Sequence, residues 1–335
     1  MKRILPVVLA ALGVALALGG CRTFVPIAVV GEDYQLPPDF RVVGYFPSWS
    51  GDPAEIQYQA LTHIDYAFLT PTRDGGYLPI PRADKLVALI ERAHAHGVKV
   101  LASLGGADDD GTDAFRAIAT DPVLSAVFIA NTVALVTDWG LDGIDMDWEF
   151  PGMKVADEYA ALMHSLAERL HAAGYLLTAA VSAGSWYGGA IRDIVIQDVD
   201  FLNVMAYDDG YRQPGVHHST YDFAYSAMRY WLNNRGAPPS KVVLGVPFYG
   251  RSLRDRHSRT FKSIFARDFN APGKDVSGGF GYNGFATLRD KTLRLARNLG
   301  GGIMIWQIAQ DVPGTNSLLN AIFDAVKVPR EQSPR

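Results

Sequence analysis

Short apolar runs alternate with amphipathic stretches from Phe40 almost to the end of the chain. The runs are rich in Val, Ile, Leu, Ala and Phe, which is typical of parallel strands buried on both faces. They predict eight strands: Arg41–Phe46, His63–Phe68, Lys99–Ser103, Gly143–Trp148, Leu176–Ser182, Phe201–Ala206, Val242–Pro247 and Gly302–Trp306. The periodicity between them predicts helices at Asp84–His96, Asp121–Trp139, Asp157–Ala173, Tyr221–Asn234, Asn283–Asn298 and Asn316–Val326.

The order of these elements indicates the fold class. Eight strands with intervening helices are typical of an α/β protein, and they predict a single closed (β/α)8 TIM barrel at residues 41–327. The chain has 335 residues, of which 48% are hydrophobic. A barrel needs roughly 250 residues, so one barrel fits with a modest excess. An open doubly wound sheet is the alternative, but no glycine-rich phosphate loop follows the first strand.

The N-terminus has a different composition from the rest of the chain. A basic start, an apolar stretch from Ile4 to Leu18 and the sequence Gly19-Gly20-Cys21 resemble a bacterial lipoprotein signal. Cys21 is the only cysteine, so it has no internal disulfide partner. We therefore predict a signal peptide at residues 1–20, lipidation of Cys21, a tether at 21–40 and a C-terminal tail at 328–335. The protein is expected to be exported and lipid-anchored in the bacterial cell envelope, with the outer membrane or cell surface favoured.

Net charge and composition exclude some partners. The formal net charge is −4, and no basic run suggests binding to nucleic acid. We expect a monomer that contacts membrane only through its lipid anchor. Aromatic residues make up 11% of the chain.

The strongest candidates for chemistry are three acidic residues in and just after the fourth predicted strand. Side chains alternate faces along a strand, so Asp145, Asp147 and Glu149 share one face. Carboxylates so close repel one another, and at least one is expected to hold its proton more tightly than a free acid. Such a group suits general acid catalysis. A divalent-cation site or a solvated strand end remains open on spacing alone.

The residues around this row carry a family likeness. Asp-Gly-Ile-Asp-Met-Asp-Trp-Glu-Phe-Pro at residues 142–151 resembles the signature of family-18 glycoside hydrolases, the chitinase family. Phe150 stands where that signature commonly has Tyr. Ser103-Leu104-Gly105-Gly106, Met205-Ala206-Tyr207-Asp208 and Trp306 resemble further elements of the family, each at the end of a predicted strand. TIM barrels build their active sites at these ends.

The resemblance implies a substrate-assisted mechanism, which places the family outside the usual two-carboxylate scheme. The substrate's acetamide oxygen would attack C1, giving an oxazolinium ion and retention of configuration. Glu149 would protonate the leaving oxygen and later deprotonate water. Asp147 would hold the acetamide N–H, and Asp145 would share a proton with it. Tyr207 would hydrogen-bond the acetamide oxygen and Asp208 would contact the same sugar, with no metal or cofactor.

The remaining candidates divide into substrate-binding and supporting residues. The resemblance places Trp306 as an aromatic floor under the sugar, a role that suits an aromatic plane because sugar C–H faces stack on it. Other substrate-binding candidates are Tyr45, Trp49, Phe68, Gly106, Trp186, Met205, Tyr249 and Arg251. Structural support is expected from Ser103, Gly105, Asp142 and Gly143, with Ser103 donating a hydrogen bond to a buried aspartate.

Two features bear on specificity. Many chitinases carry a large α+β insertion after the seventh strand, but residues 251–282 look too short for one and more like a loop. This predicts an open cleft and an endo preference on chitin or chito-oligosaccharides. The alternatives are the same chemistry on peptidoglycan or the N-glycan chitobiose core, and a non-catalytic lectin. The acidic run at residues 108–111 is interpreted as a solvated turn rather than a calcium loop.

Overall fold

The computed structural model describes residues 34–330, apart from residues 108, 211 and 212. Eight parallel strands close into a barrel, with β8 paired to both β7 and β1. The strands are β1 Arg41–Pro47, β2 His63–Leu69, β3 Lys99–Gly106, β4 Gly143–Trp148, β5 Leu176–Ser182, β6 Phe201–Met205, β7 Val242–Pro247 and β8 Gly302–Trp306. The predicted (β/α)8 TIM barrel is confirmed.

Helices surround the barrel and cover its outer surface. Those of six residues or more are Ala83–Ala95, Asp109–Thr120, Pro122–Trp139, Ala156–Ala172, Asp193–Asp198, Tyr221–Arg229, Phe285–Asp290 and Leu318–Val326. Two of them continue in π-helical geometry, over Tyr230–Asn234 and Lys291–Arg297. Those two segments complete the longer helices predicted at 221–234 and 283–298.

One helix lies where the sequence suggested a turn. Residues 109–111, which belong to the segment interpreted as a solvated turn, instead begin the helix Asp109–Thr120. Ala114, Phe115 and Ile118 on this helix are buried. Their spacing places them on one side of a helix, so burial of that apolar side outweighs the turn preference of the Asp and Gly residues.

The two faces of β4 lie in different surroundings, one under the helices and one inside the barrel. Ile144, Met146 and Trp148 point outward and are buried under the helices. The Trp148 ring stacks on Phe115, with centroids 5.4 Å apart, and meets Tyr159 edge-on. The inward face carries the acids into the barrel, whose apolar filling is Val43, Tyr45, Ala67, Phe201, Val243 and Met304. The outer packing thus anchors the strand that presents the acids.

The interval after β7 is folded, although it is small. Tyr249–Ser252, Ser258–Thr260, Val276–Ser277 and Phe280–Gly281 form a four-stranded antiparallel sheet, accompanied by the short helix Phe261–Phe265. The absence of a large insertion domain is confirmed, but the loop interpretation of residues 251–282 is corrected. Strands of two to four residues are too short for their alternation to be recognised in the sequence. The sheet holds Arg251 beside the mouth of the barrel.

The two ends of the described chain meet. Tyr34–Gln35 pairs antiparallel with Val328–Pro329, and Phe40 is buried. Paired strands are therefore found at 34–35 and 328–329, outside the 41–327 boundaries and within segments interpreted as tether and tail. The predicted signal peptide and Cys21 lie outside the described residues.

Candidate active site

A cavity of about 290 Å³ opens at the carboxyl ends of the barrel strands. Its lining brings together candidates from widely separated parts of the chain: Tyr45, Phe68, Asp147, Glu149, Met205, Tyr207, Asp208, Tyr249, Arg251 and Trp306. Ala107, Ser258 and Gln310 complete the lining and were not expected from the sequence. The convergence follows from the closed barrel, which gathers the ends of all eight strands around one opening.

The acidic row runs from the barrel interior to this opening. Asp145 is fully buried, Asp147 is 3% exposed and Glu149 is half-buried at the cavity wall. The three share one face because side chains alternate along β4. Solvent access therefore increases along the row, and only the outer two carboxyls line the cavity.

Asp145 is held by four donors inside the barrel. Its Oδ1 accepts from Thr178 Oγ1 at 2.6 Å and Asn203 Nδ2 at 3.2 Å. Its Oδ2 accepts from Tyr45 Oη at 2.7 Å and Ser103 Oγ at 2.9 Å. Burial raises the pKa of Asp145 above its ordinary value, although each of the four hydrogen bonds acts to lower it. The donor set suits a carboxylate anion.

Asp147 has the opposite environment. Its Oδ1 is buried and has no hydrogen-bond partner among the described residues. Burial, and then the charges of Glu149, Asp145 and Asp65, raises the pKa of Asp147 well above its ordinary value. No hydrogen bond joins Asp147 to Asp145, whose two oxygens accept from four other donors. The resemblance implies that these two aspartates share a proton, but their carboxyl groups are not hydrogen-bonded to each other in this structure. A buried acceptor at a cavity wall remains available to a ligand.

Glu149 is poised between its two protonation states near neutral pH. Burial raises the pKa of Glu149 to about 7, and the negative charge of Asp208 adds to the shift. A substantial fraction of the molecules therefore carries a protonated Glu149 at neutral pH. A carboxylic acid with this pKa in a cavity can donate a proton to a leaving group and recover it from water.

Asp208 is an anion fixed in place by its partners. Arg251 grips it with two hydrogen bonds, Nε to Oδ1 at 2.7 Å and Nη2 to Oδ2 at 2.6 Å. His218 Nδ1 lies 3.2 Å from Oδ1. Burial alone would raise the pKa of Asp208, but its bonds to Arg251 and His218 bring that pKa below its ordinary value. Burial also raises the pKa of the neighbouring Tyr207 well above its ordinary value, so Tyr207 stays a hydroxyl donor.

The floor of the cavity is aromatic. The Trp306 ring stacks on Phe68, with centroids 5.5 Å apart and planes at 16°, and meets Tyr45 edge-on at 5.5 Å. Gly106 makes this packing possible, because a β carbon there would lie 2.6 Å from the Phe68 ring. Its φ of +87° is also one that side-chain-bearing residues rarely adopt. Phe68 thus supports one side of the indole while Trp306 still lines the cavity.

Gly105 has a similar steric role beneath the acidic row. Its φ is +104°, and a β carbon there would lie 2.5 Å from the backbone oxygen of Asp147. Only glycine lets β3 approach β4 this closely at the level of the acids. Its predicted supporting role therefore has a steric basis.

Two aromatic candidates lie outside the cavity. Trp49 is 61% exposed and sits beside Phe68, with ring centroids 6.1 Å apart. Trp186 is 86% exposed and lines an adjoining groove of about 880 Å³. This groove shares Glu149, Met205, Tyr207 and Asp208 with the cavity, and in it Phe150 stacks on Tyr187 at 4.4 Å. Exposed aromatic rings therefore flank the cavity beyond its own lining.

Two predicted supporting residues lie at the opposite end of β4. Asp142 Oδ2 accepts from the backbone N–H of Val100 at 2.7 Å and lies 2.8 Å from His94 Nε2. At Gly143 a β carbon would overlap the backbone of Leu176. Both residues stabilise strand pairing at the amino end of the barrel, so they support β4 without touching the cavity. They match the motif because they begin the strand, not because they reach the cavity.

Besides Ser258 and Gln310 in the lining, four polar residues behind the cavity were not expected from the sequence: Asp65, Thr178, Asn203 and His218. The first three are fully buried at inward-facing positions of β2, β5 and β6. A polar residue within an apolar strand was the available signal. Within the described chain, no group of three His, Cys, Asp or Glu side chains is arranged to hold a metal ion.

A buried acidic row, an adjacent tyrosine and an aromatic floor in one small cavity define a glycoside-hydrolase type of site. The chain belongs to the glycosyl hydrolases family 18, whose family model matches residues 41–311.

Individual relatives agree with this assignment. The chain is 29% identical over 260 residues to Nod factor hydrolase protein 1 of Medicago truncatula, covering 69% of this chain and 66% of that protein. It is 26% identical over 252 residues to probable chitinase 10 of Drosophila melanogaster, covering 64% and 11%. The chain thus spans less than two thirds of these relatives. The crystal structure of the family-18 chitinase ChiB from Flavobacterium johnsoniae superposes with a TM-score of 0.77 at 28% identity, covering 88% of this chain and 94% of that one.

Proposed function

We propose that this protein is a retaining glycoside hydrolase that cleaves β-1,4-linked N-acetylglucosamine polymers or oligomers, such as chitin and chito-oligosaccharides. The observation that carries the proposal is a single cavity lined by Glu149, Asp147, Tyr207 and Trp306. These residues offer a proton donor, a buried acceptor, a hydroxyl donor and a stacking surface around one sugar ring. The chitinase names among the relatives support the same substrate class.

The state of the carboxyls argues for a nucleophile supplied by the substrate. Asp208 is ionised, but Arg251 occupies both of its oxygens. Asp145 is fully buried beneath the cavity. Asp147 is almost fully buried, and its pKa lies well above the ordinary value. None of these is a free, exposed carboxylate able to attack C1, whereas the acetamide oxygen of N-acetylglucosamine is.

The reaction then follows from the position of each group. The acetamide oxygen attacks C1 as Glu149 gives its proton to the leaving oxygen, and an oxazolinium ion forms. Asp147 accepts the acetamide N–H at its unpaired Oδ1. The positive charge that develops beside it lowers its raised pKa and favours the ionised form, which stabilises the ion. Tyr207 donates to the acetamide oxygen and steadies its approach. Glu149 then removes a proton from water as the water attacks C1, so two inversions give retention.

Substrate choice is tested by product analysis. The purified protein would be incubated with chitohexaose, with peptidoglycan glycan strands and with a high-mannose glycopeptide, and the products identified by mass. We expect hydrolysis of chitohexaose at internal linkages, because the groove continues past the cavity. Cleavage of only the second or third substrate would establish the corresponding alternative. Binding without turnover would support the lectin.

The pH profile reports the protonation of Glu149. Because the general acid must be protonated, kcat/KM is expected to fall as pH rises through about 7, the pKa of Glu149. In Asp208→Asn this alkaline limb should move to lower pH, because a negative charge that raises that pKa is lost. Initial rates on a chromogenic chito-oligosaccharide would check both. An alkaline limb at the same pH in the variant would contradict the influence of the Asp208 charge on the pKa of Glu149.

We further propose that the protein is a bacterial lipoprotein of the cell envelope, anchored through Cys21. The support is the signal-like sequence that precedes the only cysteine of the chain. Cys21→Ser in the full chain is expected to abolish incorporation of labelled fatty acid and to move the protein out of the membrane fraction. Unchanged labelling and fractionation would contradict the proposal.

A further inference from the structure

Asp65 is a second buried aspartate inside the barrel, below the level of the cavity. It lies on the inward face of β2 and is 0% exposed. Its Oδ2 accepts from Asn203 Nδ2 at 3.2 Å. Its Oδ1 has no hydrogen-bond partner in the described part of the chain. A carboxylate anion with one long hydrogen bond and no cation beside it is strongly disfavoured in a protein interior.

The amide of Asn203 connects Asp65 to Asp145, the innermost residue of the acidic row. Asn203 Nδ2 lies within 3.2 Å of Asp145 Oδ1, 3.2 Å of Asp65 Oδ2 and 3.3 Å of Tyr45 Oη. An amide nitrogen has only two hydrogens, so three acceptors compete for them. The charge on Asp65 therefore influences how strongly the Asn203 amide donates to the carboxylate of Asp145.

We propose that Asp65 is a positioning residue for hydrolysis, kept as a neutral acid so that Asn203 remains oriented toward the Asp145 carboxylate. This rests on the proposed hydrolase function. A negative Asp65 would draw the amide toward itself and would place a second buried charge beside Asp145. Neutral Asp65 leaves Asp145 as the anion at the base of the row.

The charged surroundings of Asp65 agree with this role. Tyr45 on β1 and Asp145 and Asp147 on β4 are the titratable groups coupled to it, and β6 faces it with Asn203. Burial first, and then the charge of Asp145, raises the pKa of Asp65 well above its ordinary value, against the hydrogen bond from Asn203. Asp145 has four donors and Asp65 has one, so Asp145 is the better site for the negative charge.

Two substitutions separate positioning from mere filling of space. Asp65→Leu removes the acceptor that holds one of the two amide hydrogens of Asn203, so the amide is free to turn away from Asp145. We expect kcat to fall about tenfold or more, the effect of roughly 1.4 kcal/mol on the barrier. KM should change less than about twofold, since Asp65 does not line the cavity. Asp65→Asn keeps a neutral acceptor of the same size, and it should recover most of the lost kcat. Val243→Ala, in the apolar filling of the barrel, is the control for altered packing alone.

A spectroscopic measurement tests the neutral acid without relying on turnover. The infrared difference spectrum between the unchanged protein and Asp65→Asn, recorded at neutral pH, should contain the C=O stretch of a protonated carboxylic acid. A carboxylate band in its place would overturn the proposal, as would unchanged kcat in Asp65→Leu. If no form of the protein hydrolyses chito-oligosaccharides, the proposed function fails, and the infrared result still decides the state of Asp65.

Discussion

Replacing Glu149 by glutamine is expected to lower kcat on chito-oligosaccharides about 10²–10⁴-fold, the usual contribution of a general acid. Glutamine has the size of glutamic acid but cannot give a proton to the leaving oxygen. Glu149 is half-buried at the cavity wall with a pKa of about 7, so a substantial fraction of the molecules carries this proton at neutral pH. The dissociation constant of chitohexaose, measured by calorimetry, should change only a few-fold because Trp306 and Tyr207 remain.

The matched control is Glu158→Gln. Glu158 is exposed in the first turn of the helix Ala156–Ala172, so the same chemical change there should leave kcat unaltered. Full activity in the Glu149 variant would end the assignment of the general acid. A parallel loss in both variants would point to an effect of folding, which a melting curve would reveal.

Replacing Asp147 by asparagine is expected to reduce kcat about 10²–10³-fold, the loss typical of removing one preorganised electrostatic contact. The reason is charge, since asparagine keeps the size of aspartate but cannot stabilise the positive oxazolinium ion. Asp147 is 3% exposed and one of its oxygens has no partner among the described residues. An interaction in so buried a site is little screened by water.

Single-turnover kinetics would check this result, because they isolate the bond-breaking step from product release. Asp138→Asn, an exposed position at the end of the helix Pro122–Trp139, serves as the control. If Asp147→Asn changes KM but not the single-turnover rate, Asp147 contributes to binding of the sugar and not to stabilising the ion.

Much of the acidic row could be anticipated from local sequence. The alternation of Ile144, Asp145, Met146, Asp147 and Trp148 predicts which side chains face inward, because a strand has a period of two. The eight strands could likewise be predicted locally, because each is an apolar run between polar or glycine-rich segments. These features depend on neighbours along the chain.

Other parts of the site depend on contacts across the barrel. Asp208 and Arg251 are 43 residues apart, and their ion pair exists because a small sheet after β7 turns back to the mouth. Asn203 and Asp65 are 138 residues apart and meet only inside the barrel. No periodicity within either segment indicates that they will touch.

The sequence by itself determined the barrel and the shared face of the acids, because strand period and hydrophobic burial are local properties. The family resemblance, and not the periodicity, indicated Trp306 as the aromatic floor. Only the tertiary structure decided how the acids differ from one another. Asp145 receives four donors, Asp147 has an unpaired oxygen, and Glu149 is shifted by burial and by Asp208. Desolvation and charge act through space, so a carboxyl acquires its protonation state from the residues that the fold places around it.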